Sequence, residues 1–305
     1  MDERYIIIEM GSTHTKVGFA GKEAPSVIFP TVVGRPIVSG LASNIVGDKG
    51  YTVGTHAETN RGSLRLRYPV NGREVQHWDD VELILNHIFA NELHINPEEY
   101  SILIIKKALT QRSEKEKMAK MLFDKFKVEA LYIADSAACS LYAEGLVSGI
   151  VLEMNDGVIN VIPIIDEYIS SYPDMRLNLG SEQFQTMEVL FNPSLIGFES
   201  PGIHELLCKS IMRCEVEQRE TLFNNIVLSG GSSLFLGLPE RLSKEIIKIA
   251  PPNMQSKVRV IAKPERQYSA WIGGSNMACE MRFNSKWISK EEYSRKGVSI
   301  IHDMT

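Results

Sequence analysis

The chain has 305 residues, of which 44% are hydrophobic and 23% charged, as expected for a globular protein with two filled domain cores. Its net charge of −5 argues against a protein that binds nucleic acid mainly by neutralising phosphates. The four cysteines lack metal-finger spacing and are expected to be reduced thiols. No stretch approaches the roughly 20 apolar residues that span a bilayer. We therefore expect a soluble, intracellular protein without membrane contact.

The first predicted element is a hairpin. Apolar residues 5–8 predict a strand that ends in Glu9, and residues 15–19 predict its partner strand. The turn between them contains Gly11, Ser12 and Thr13. The segment 30–51 that follows is rich in Gly, Ser, Pro and Asn, and it predicts a loop with short strands.

Helices and strands then alternate. Asp79, with Glu82 three residues later, predicts the cap of a helix whose apolar face recurs at helical spacing through Phe89. Ser113 with Glu116 predicts the start of a second helix, and Asp135 or Ser136 predicts the cap of a third that ends at Gly145. Residues 101–105 and 131–134 predict short buried strands. This alternation indicates an α/β class with a largely parallel core.

The opening pattern recurs after 144 residues. Residues 149–153 and 158–165 predict a second hairpin, in which an apolar strand again ends in a glutamate, Glu153, before a small polar turn. Each hairpin adds an antiparallel edge, so both sheets should be mixed. The recurrence predicts two similar halves. The alternative is that two Ile- and Val-rich strands match by chance.

The two hairpin turns have the composition of a phosphate site. Backbone N–H groups at Gly11 and Gly157, the hydroxyls of Ser12 and Thr13 and the ammonium of Lys16 can all face an anion. Mg²⁺ commonly uses one or two carboxylates with phosphates and water, and Glu9, Glu153 and Asp156 offer these carboxylates. Taken singly, Lys16 would be a solvated strand residue and Asp156 a turn former. A third turn, Gly230-Gly231, precedes a predicted helix whose N-terminus favours negative charge.

The chain resembles the actin family over almost its whole length. Segments that are actin-like in order and spacing are "KVGFAGKEAPSVIFPTVVGRP" (16–36), "RGSLRLRYPV" (61–70), "WDDVELI" (78–84), "SLYAEG" (140–145), "GFESPGIHE" (197–205), "VLSGG" (227–231), "PERQYSAWIGGS" (264–275) and "WISKEEY" (287–293). The resemblance implies an α/β, duplicated ribonuclease-H-like fold of two domains. It divides the chain into a first half at 1–143, a second half at 144–270 and a C-terminal segment at 271–305 that returns to the first half.

The resemblance also implies an interdomain cleft for ATP or ADP with Mg²⁺ or Ca²⁺, slow hydrolysis and head-to-tail filaments. Through waters, the metal would contact Glu9 and Glu153. The residues that it places at the nucleotide are Gly11, Ser12, Thr13, Lys16, Asp156, Gly157, Val158, Gly230, Gly231, Ser232, Leu234, Phe235 and Gln267. It implies self-association, actin-like or actin-binding partners, and a cytoplasmic, cytoskeletal location.

The sequence departs from this family in several places. Residues 176–184 join two segments that are several dozen residues apart in actins, so we expect subdomain four to be missing. Glutamates at 9 and 153 replace two aspartates, and Gln267 replaces a lysine. Ser136 stands where actins carry the glutamine that positions the attacking water. A serine is too short for that role, and we interpret Ser136 as a helix cap.

A further departure lies in the helix after "WIGGS". Asn276 and Glu280 are four residues apart, which predicts a polar helical face where actins have an apolar groove for partner helices. We therefore expect partners that differ from the usual ones.

The sequence leaves three functions open. The first is an actin-like cytoskeletal protein that binds Mg-ATP, hydrolyses it slowly or not at all, and self-associates. The second is a non-polymerising actin-related scaffold or filament cap with little or no ATPase activity. The third is an enzyme of the sugar-kinase and chaperone superfamily, which is disfavoured because the actin-like segments outside the cleft match as well as those inside it. Pelleting with Mg-ATP separates the first two.

Overall fold

The structure is a computed structural model that describes residues 4–38, 43–72, 74–108, 110–155, 158–169, 175–178 and 187–302. Its strands are β1 Tyr5–Met10, β2 His14–Phe19, β3 Val27–Pro30, β4 Val33–Pro36, β5 Thr52–Val53, β6 Leu64–Arg67, β7 Val70–Asn71, β8 Glu74–Val75, β9 Ser101–Lys106, β10 Ala130–Asp135, β11 Gly149–Asn155, β12 Val158–Ile165, β13 Tyr168–Ile169, β14 Met175–Asn178, β15 Ile226–Ser229, β16 Val260–Ile261 and β17 Ile288–Ser289.

The α-helices among these residues are α1 Ser43–Val46, α2 Thr55–Thr59, α3 Trp78–His87, α4 Arg112–Lys120, α5 Ser136–Tyr142, α6 Glu188–Phe191, α7 Ile203–Arg213, α8 Val216–Asn224, α9 Leu238–Ile249, α10 Ser269–Cys279 and α11 Lys290–Lys296. Single π-helical turns at Ile88–Glu92 and Met121–Lys125 continue α3 and α4. None of the helices in the described ranges has the length and apolar character that crossing a bilayer requires.

Two compact units divide the chain. Unit 1 contains residues 1–134 and 275–305, and unit 2 contains residues 135–274. The predicted domain boundaries, at 143/144 and 270/271, lie nine and four residues from these unit boundaries. Helix α5, which the prediction placed in the first half, lies in unit 2.

Unit 1 is built on a six-stranded sheet with the order β17-β10-β9-β1-β2-β3. The apolar run Ile6–Ile8 of β1 is fully buried at its centre, between an antiparallel β2 and a parallel β9. On α3, Val81, Ile84 and Leu85 recur at helical spacing and join the same hydrophobic core. A separate small sheet has the order β5-β4-β6, and β7 pairs with β8.

Unit 2 repeats this arrangement. Strand β11 is antiparallel to β12 and parallel to β15, which is in turn parallel to β16, while β14 pairs with β12 as β3 pairs with β2. Helices α7 and α9 add to its core, because Leu238, Leu242 and Ile246 lie four residues apart on one face of α9. The predicted α/β class with mixed sheets is confirmed, and the strand order within each unit agrees with the predicted similarity of the halves.

Several predicted boundaries were wrong. Helix α3 begins at Trp78 and α4 at Arg112, one residue before the expected caps, and neither helix has a side-chain cap. Helix α5 ends at Tyr142 rather than Gly145. Strands β1 and β11 continue past the glutamates that were predicted to end them, because the residues that follow also pair with the opposite strand.

The helix after "WIGGS" is also shorter than predicted. Helix α10 ends at Cys279, and Glu280 has the extended backbone angles φ −97° and ψ 130°. Asn276 and Glu280 therefore do not form the polar helical face that was predicted.

Residues 166–187 connect β12 to α6, and within this stretch the described residues are the turn Asp166–Glu167, β13, β14 and Met187. The predicted join at 176–184 lies largely outside the described residues, which end at 178 and resume at 187. A connection of this length has no room for a lobe of several dozen residues.

Candidate functional site

The β1–β2 hairpin of unit 1 carries an ion pair at its tip. Glu9 lies directly opposite Lys16 in the antiparallel register, and the Lys16 Nζ donates to Glu9 Oε1 at 2.9 Å. The two side chains are only 16% and 20% exposed, for Lys16 and Glu9 respectively. The other carboxylate oxygen, Glu9 Oε2, is buried without a hydrogen-bond partner in the described part of the chain. The predicted phosphate-binding lysine is therefore engaged with a carboxylate of its own hairpin.

The turn of this hairpin is closed on itself. The Gly11 N–H donates to the His14 carbonyl at 3.0 Å, so this amide is hydrogen-bonded within the turn. A Cβ at position 11 would lie 3.0 Å from that same oxygen, which explains the glycine. Ser12 is half-buried and Thr13 exposed, and their hydroxyls make no hydrogen bond within the described residues. These two hydroxyls are the groups of the turn that can meet a ligand.

The β11–β12 hairpin of unit 2 holds its glutamate differently. Glu153 is 3% exposed, and its Oε1 accepts a hydrogen bond from the Ser136 hydroxyl at 2.5 Å. Asn160 lies directly opposite Glu153 and donates to Oε2 over a longer 3.5 Å. Where unit 1 uses a cation, unit 2 therefore uses a hydroxyl and an amide.

Ser136 is not the helix cap that the sequence predicted. It is the first residue of α5, and Asp135 occupies the N-cap position without a side-chain hydrogen bond to the helix. The Ser136 side chain is instead committed to a carboxylate 17 residues away. The prediction failed because local spacing does not report a tertiary partner.

A second layer of hydroxyls supports this contact. Ser140, one turn further along α5, donates to the Ser136 carbonyl at 2.8 Å, and its oxygen lies 2.8 Å from that of Ser229. Ser229 is paired with Glu153 in the parallel register of β15 and β11. All four of these side chains are buried. The network fixes the start of α5 against the strand that carries Glu153.

The glycine turn of unit 2 packs against the same hairpin. Gly230 has φ +92°, and a Cβ there would overlap the Met154 carbonyl. Its N–H donates to the Arg266 carbonyl at 3.1 Å. Gly231, by contrast, is exposed and has open space at its Cβ position. Residues 231–234 form a short 3₁₀ turn, and the α-helix that follows the glycines, α9, begins at Leu238.

Arg266 braces this turn and was not predicted. The buried guanidinium donates through Nη2 to the Ser233 carbonyl at 2.8 Å, through Nε to the Ser233 hydroxyl at 3.1 Å and through Nη1 to the Lys263 carbonyl at 2.9 Å. Burial lowers the pKa of Arg266 from its usual value, and Glu240 opposes this. No local pattern marks Arg266, because its partner Ser233 is 33 residues away in sequence.

The remaining predicted nucleotide contacts lie in unit 2. Phe235 packs against the hydrophobic core, and Leu234 is 40% exposed beside the fully exposed Leu236. Ser232 is half-buried in the 3₁₀ turn, Gln267 is half-buried in a second 3₁₀ turn, and Val158 begins β12. Asp156 and Gly157 lie outside the described residues.

Among the described residues, the two glutamates predicted to contact a metal already have protein partners. Glu9 is already neutralised by Lys16, and the buried Glu153 accepts hydrogen bonds from protein donors. Among the described residues, no group of three or more His, Cys, Asp and Glu side chains is placed to hold a metal ion. A cation at Glu9 would have to displace an ammonium group.

Comparison with known families agrees with the fold and the duplicated hairpins. The family model described as Actin matches residues 2–182 and 171–305, which together span nearly the whole chain. The two matched stretches overlap at 171–182, which includes part of the join that the sequence predicts at 176–184. The α/β architecture of two units with mixed sheets is the one that this family implies. The chain therefore belongs to the actin family.

Proposed function

We propose that this chain is an actin-like protein of the cytoplasmic cytoskeleton that binds ATP or ADP weakly, hydrolyses ATP slowly at most, and self-associates into filaments or short oligomers. The observation that carries the nucleotide proposal is the duplicated hairpin, with a glutamate at the same register position in both units. Gly230, whose φ is +92°, adds a backbone turn beside the second hairpin that admits no side chain.

Weak binding follows from the contacts of Lys16. A phosphate that uses this ammonium competes with Glu9, which holds it at 2.9 Å. The nucleotide would therefore lose part of the charge attraction that a lysine without a carboxylate partner provides. In this proposal Mg²⁺ or Ca²⁺ accompanies the nucleotide on its phosphates, and the protein carboxylates are not its main ligands.

Slow hydrolysis follows from Ser136. Transfer of a phosphoryl group to water requires a group that orients the attacking water. Ser136 stands at the position of that group in the family, but its hydroxyl donates to Glu153. General-base assistance is worth about 10²–10⁴-fold, so its loss leaves at most a slow ATPase.

Self-association is supported by exposed apolar side chains in unit 2. Leu195 and Phe198, in and just after the turn Pro193–Ile196, are 60% and 44% exposed. In unit 1, Ile37 and Val38 are each 53% exposed at the start of the loop that resembles the longitudinal contact of actins. Neighbouring exposed apolar side chains of this kind are typical of protein contact surfaces.

The assembly proposal is tested by sedimentation with Mg-ATP. Leu195→Ser should reduce the sedimenting fraction severalfold without loss of stability, because the side chain is already exposed. Val216→Ser is the matched control, since Val216 is 61% exposed on α8 and should leave assembly unchanged. Only monomers at high protein concentration would contradict self-association.

A non-polymerising scaffold or filament cap is the second candidate. It is favoured by the internal partners of Glu9 and Glu153, because each of these carboxylates already has a protein donor in the absence of a nucleotide. Monomers that bind an actin-like filament end, with little or no ATPase activity, would be the result expected of this candidate.

A further inference from the structure

We propose that the folded state of this chain requires no divalent cation, because its own side chains take over the electrostatic role of a metal at both glutamates. The inference concerns the hairpins of the proposed function but does not depend on nucleotide binding, so either proposal can fail alone. It rests on the contacts of Glu9 in unit 1 and of Glu153 in unit 2.

In unit 1, Lys16 neutralises Glu9 through Oε1, while Oε2 has no hydrogen-bond partner in the described part of the chain. The two residues are a directly opposed cross-strand pair, which is the arrangement in which opposite charges stabilise an antiparallel sheet. The contact of 2.9 Å is within hydrogen-bonding distance, and both side chains are largely withdrawn from solvent. A divalent cation that approaches Glu9 is repelled by this ammonium unless Lys16 first moves away.

In unit 2, a hydroxyl and an amide donate hydrogen bonds to Glu153. A buried carboxylate is costly unless protein groups satisfy it. The 2.5 Å contact from Ser136 to Glu153 has the length of a charge-assisted bond from a hydroxyl to a carboxylate. Asn160 approaches the second oxygen, and Ser140 and Ser229 fix the backbone of Ser136 from behind.

The test is thermal unfolding of the full chain in EDTA and in a millimolar excess of Mg²⁺ alone, without nucleotide. For the wild-type protein we expect the two midpoints to agree within about 1 °C, since a ligand that does not bind the native state does not stabilise it. Equilibrium dialysis should find no stoichiometric Mg²⁺ on the chain. A midpoint that falls by several degrees on chelation, or one bound ion per chain, would overturn the inference.

Lys16→Met provides the sharper comparison. This variant keeps most of the length of the side chain but leaves Glu9 without its cation, so its midpoint in EDTA should fall by roughly 5 °C and Mg²⁺ should restore part of the loss. Lys125→Met is the matched control, because it removes the exposed ion pair of Lys125 with Glu82 in the same unit. The control should show no response to Mg²⁺. A Lys16→Met protein that folds and ignores Mg²⁺ would contradict the proposed role of Lys16.

If Lys16→Met does not fold, the dialysis and chelation results on the wild-type protein decide the question. Adding ATP to the same experiments separates the two proposals. A chain that binds ATP but needs Mg²⁺ to stay folded overturns this inference alone. A chain that ignores Mg²⁺ and binds no nucleotide supports the inference and contradicts nucleotide binding.

Discussion

The Ser136 hydroxyl donates a 2.5 Å hydrogen bond to the buried carboxylate of Glu153. This contact joins the first residue of α5 to β11, and it engages the serine that stands where the family has its water-positioning glutamine. Both the stability of unit 2 and the slow hydrolysis that we propose depend on it.

Ser136→Ala should destabilise the protein by about 1–3 kcal/mol, because Glu153 loses its shortest hydrogen bond while it stays buried. Denaturant unfolding measures the effect. The control is Ser294→Ala, which removes an exposed hydroxyl on α11 that bonds only to the Lys290 carbonyl and should change stability by less than about 0.5 kcal/mol. Equal effects of the two substitutions would show that the contact with Glu153 contributes little.

Gly230→Ala should cost about 2 kcal/mol or more. The substitution forces a side chain into a positive-φ conformation and against the Met154 carbonyl. Gly231→Ala is the natural control, because the next position has open space and no positive φ. Unfolding curves of the two variants should differ clearly, and similar curves would mean that the turn at Gly230 is easily rearranged.

Glu167→Gly should stabilise the protein by about 0.5–1 kcal/mol. Asp166 and Glu167 form the two-residue turn between β12 and β13, with φ of 49° and 71°, and such a turn favours glycine at its second position. Glu199→Gly, at an exposed loop position without positive φ, should give no gain. A loss of stability in Glu167→Gly would contradict the strained turn.

Asp80 should make the small sheet of unit 1 sensitive to acid. The carboxylate is fully buried and accepts hydrogen bonds from Arg35 at 2.5 Å and from Arg67. Burial alone would raise the pKa of Asp80, but the bonds from Arg67 and Arg35 outweigh it and the pKa is lowered. The pKa of Asp80 in the folded state lies below its unfolded value. The contacts of Asp80 with the two arginines therefore stabilise the fold above about pH 4, and this contribution is lost as the pH falls further.

Asp80→Asn should therefore lower the free energy of unfolding by roughly 3 kcal/mol at neutral pH. It should also make this free energy less dependent on pH in the acid range, which we call the acid limb of the stability curve. Asp48→Asn, on an exposed 3₁₀ turn of the same unit, should leave both unchanged. Chemical denaturation across the range from pH 3 to 7 measures this, and an unchanged acid limb in Asp80→Asn would exclude Asp80 as its cause.

Tyr293 should produce the opposite pH dependence in alkali. Burial, with the charge and hydrogen bond of Asp124, raises the pKa of Tyr293 to about 12. A folded pKa above the unfolded value of about 10 stabilises the fold below pH 10, and the contribution is lost as the pH rises towards 12. Tyr293→Phe should remove this step and keep the stacked contact with Phe123, whose ring centroid lies at 4.3 Å. Tyr168→Phe, at a 66% exposed position, should leave the alkaline step intact.

The sequence predicted the hairpins well because strand signals are local and strong. The apolar runs at 5–8 and 149–153 each end beside a small polar turn, and both form the expected strands. Helix starts were less predictable, since several polar residues within one turn compete for the cap. The predicted caps, Asp79 and Ser113, each lie one residue after the first residue of their helix, and neither side chain caps it.

Within the candidate site, the parts that depend on tertiary contacts were missed. Ser136 is hydrogen-bonded to Glu153, and Arg266 is hydrogen-bonded to Ser233. These partners are 17 and 33 positions apart in sequence, and no periodic pattern indicates such contacts. Asn160 could have been found. The pairing of Asn155 with Val158 places it directly opposite Glu153, so the hairpin register alone predicts that pair.

The most direct test of the proposed function is the binding and fate of ATP on the wild-type chain. Protein purified without added nucleotide would be dialysed to equilibrium against labelled Mg-ATP, denatured, and its released nucleotide identified by chromatography. We predict saturable but weak binding, with the nucleotide recovered mainly as ATP. No bound nucleotide at any ATP concentration, from protein that is folded and monodisperse, would contradict nucleotide binding and leave the scaffold as the better account.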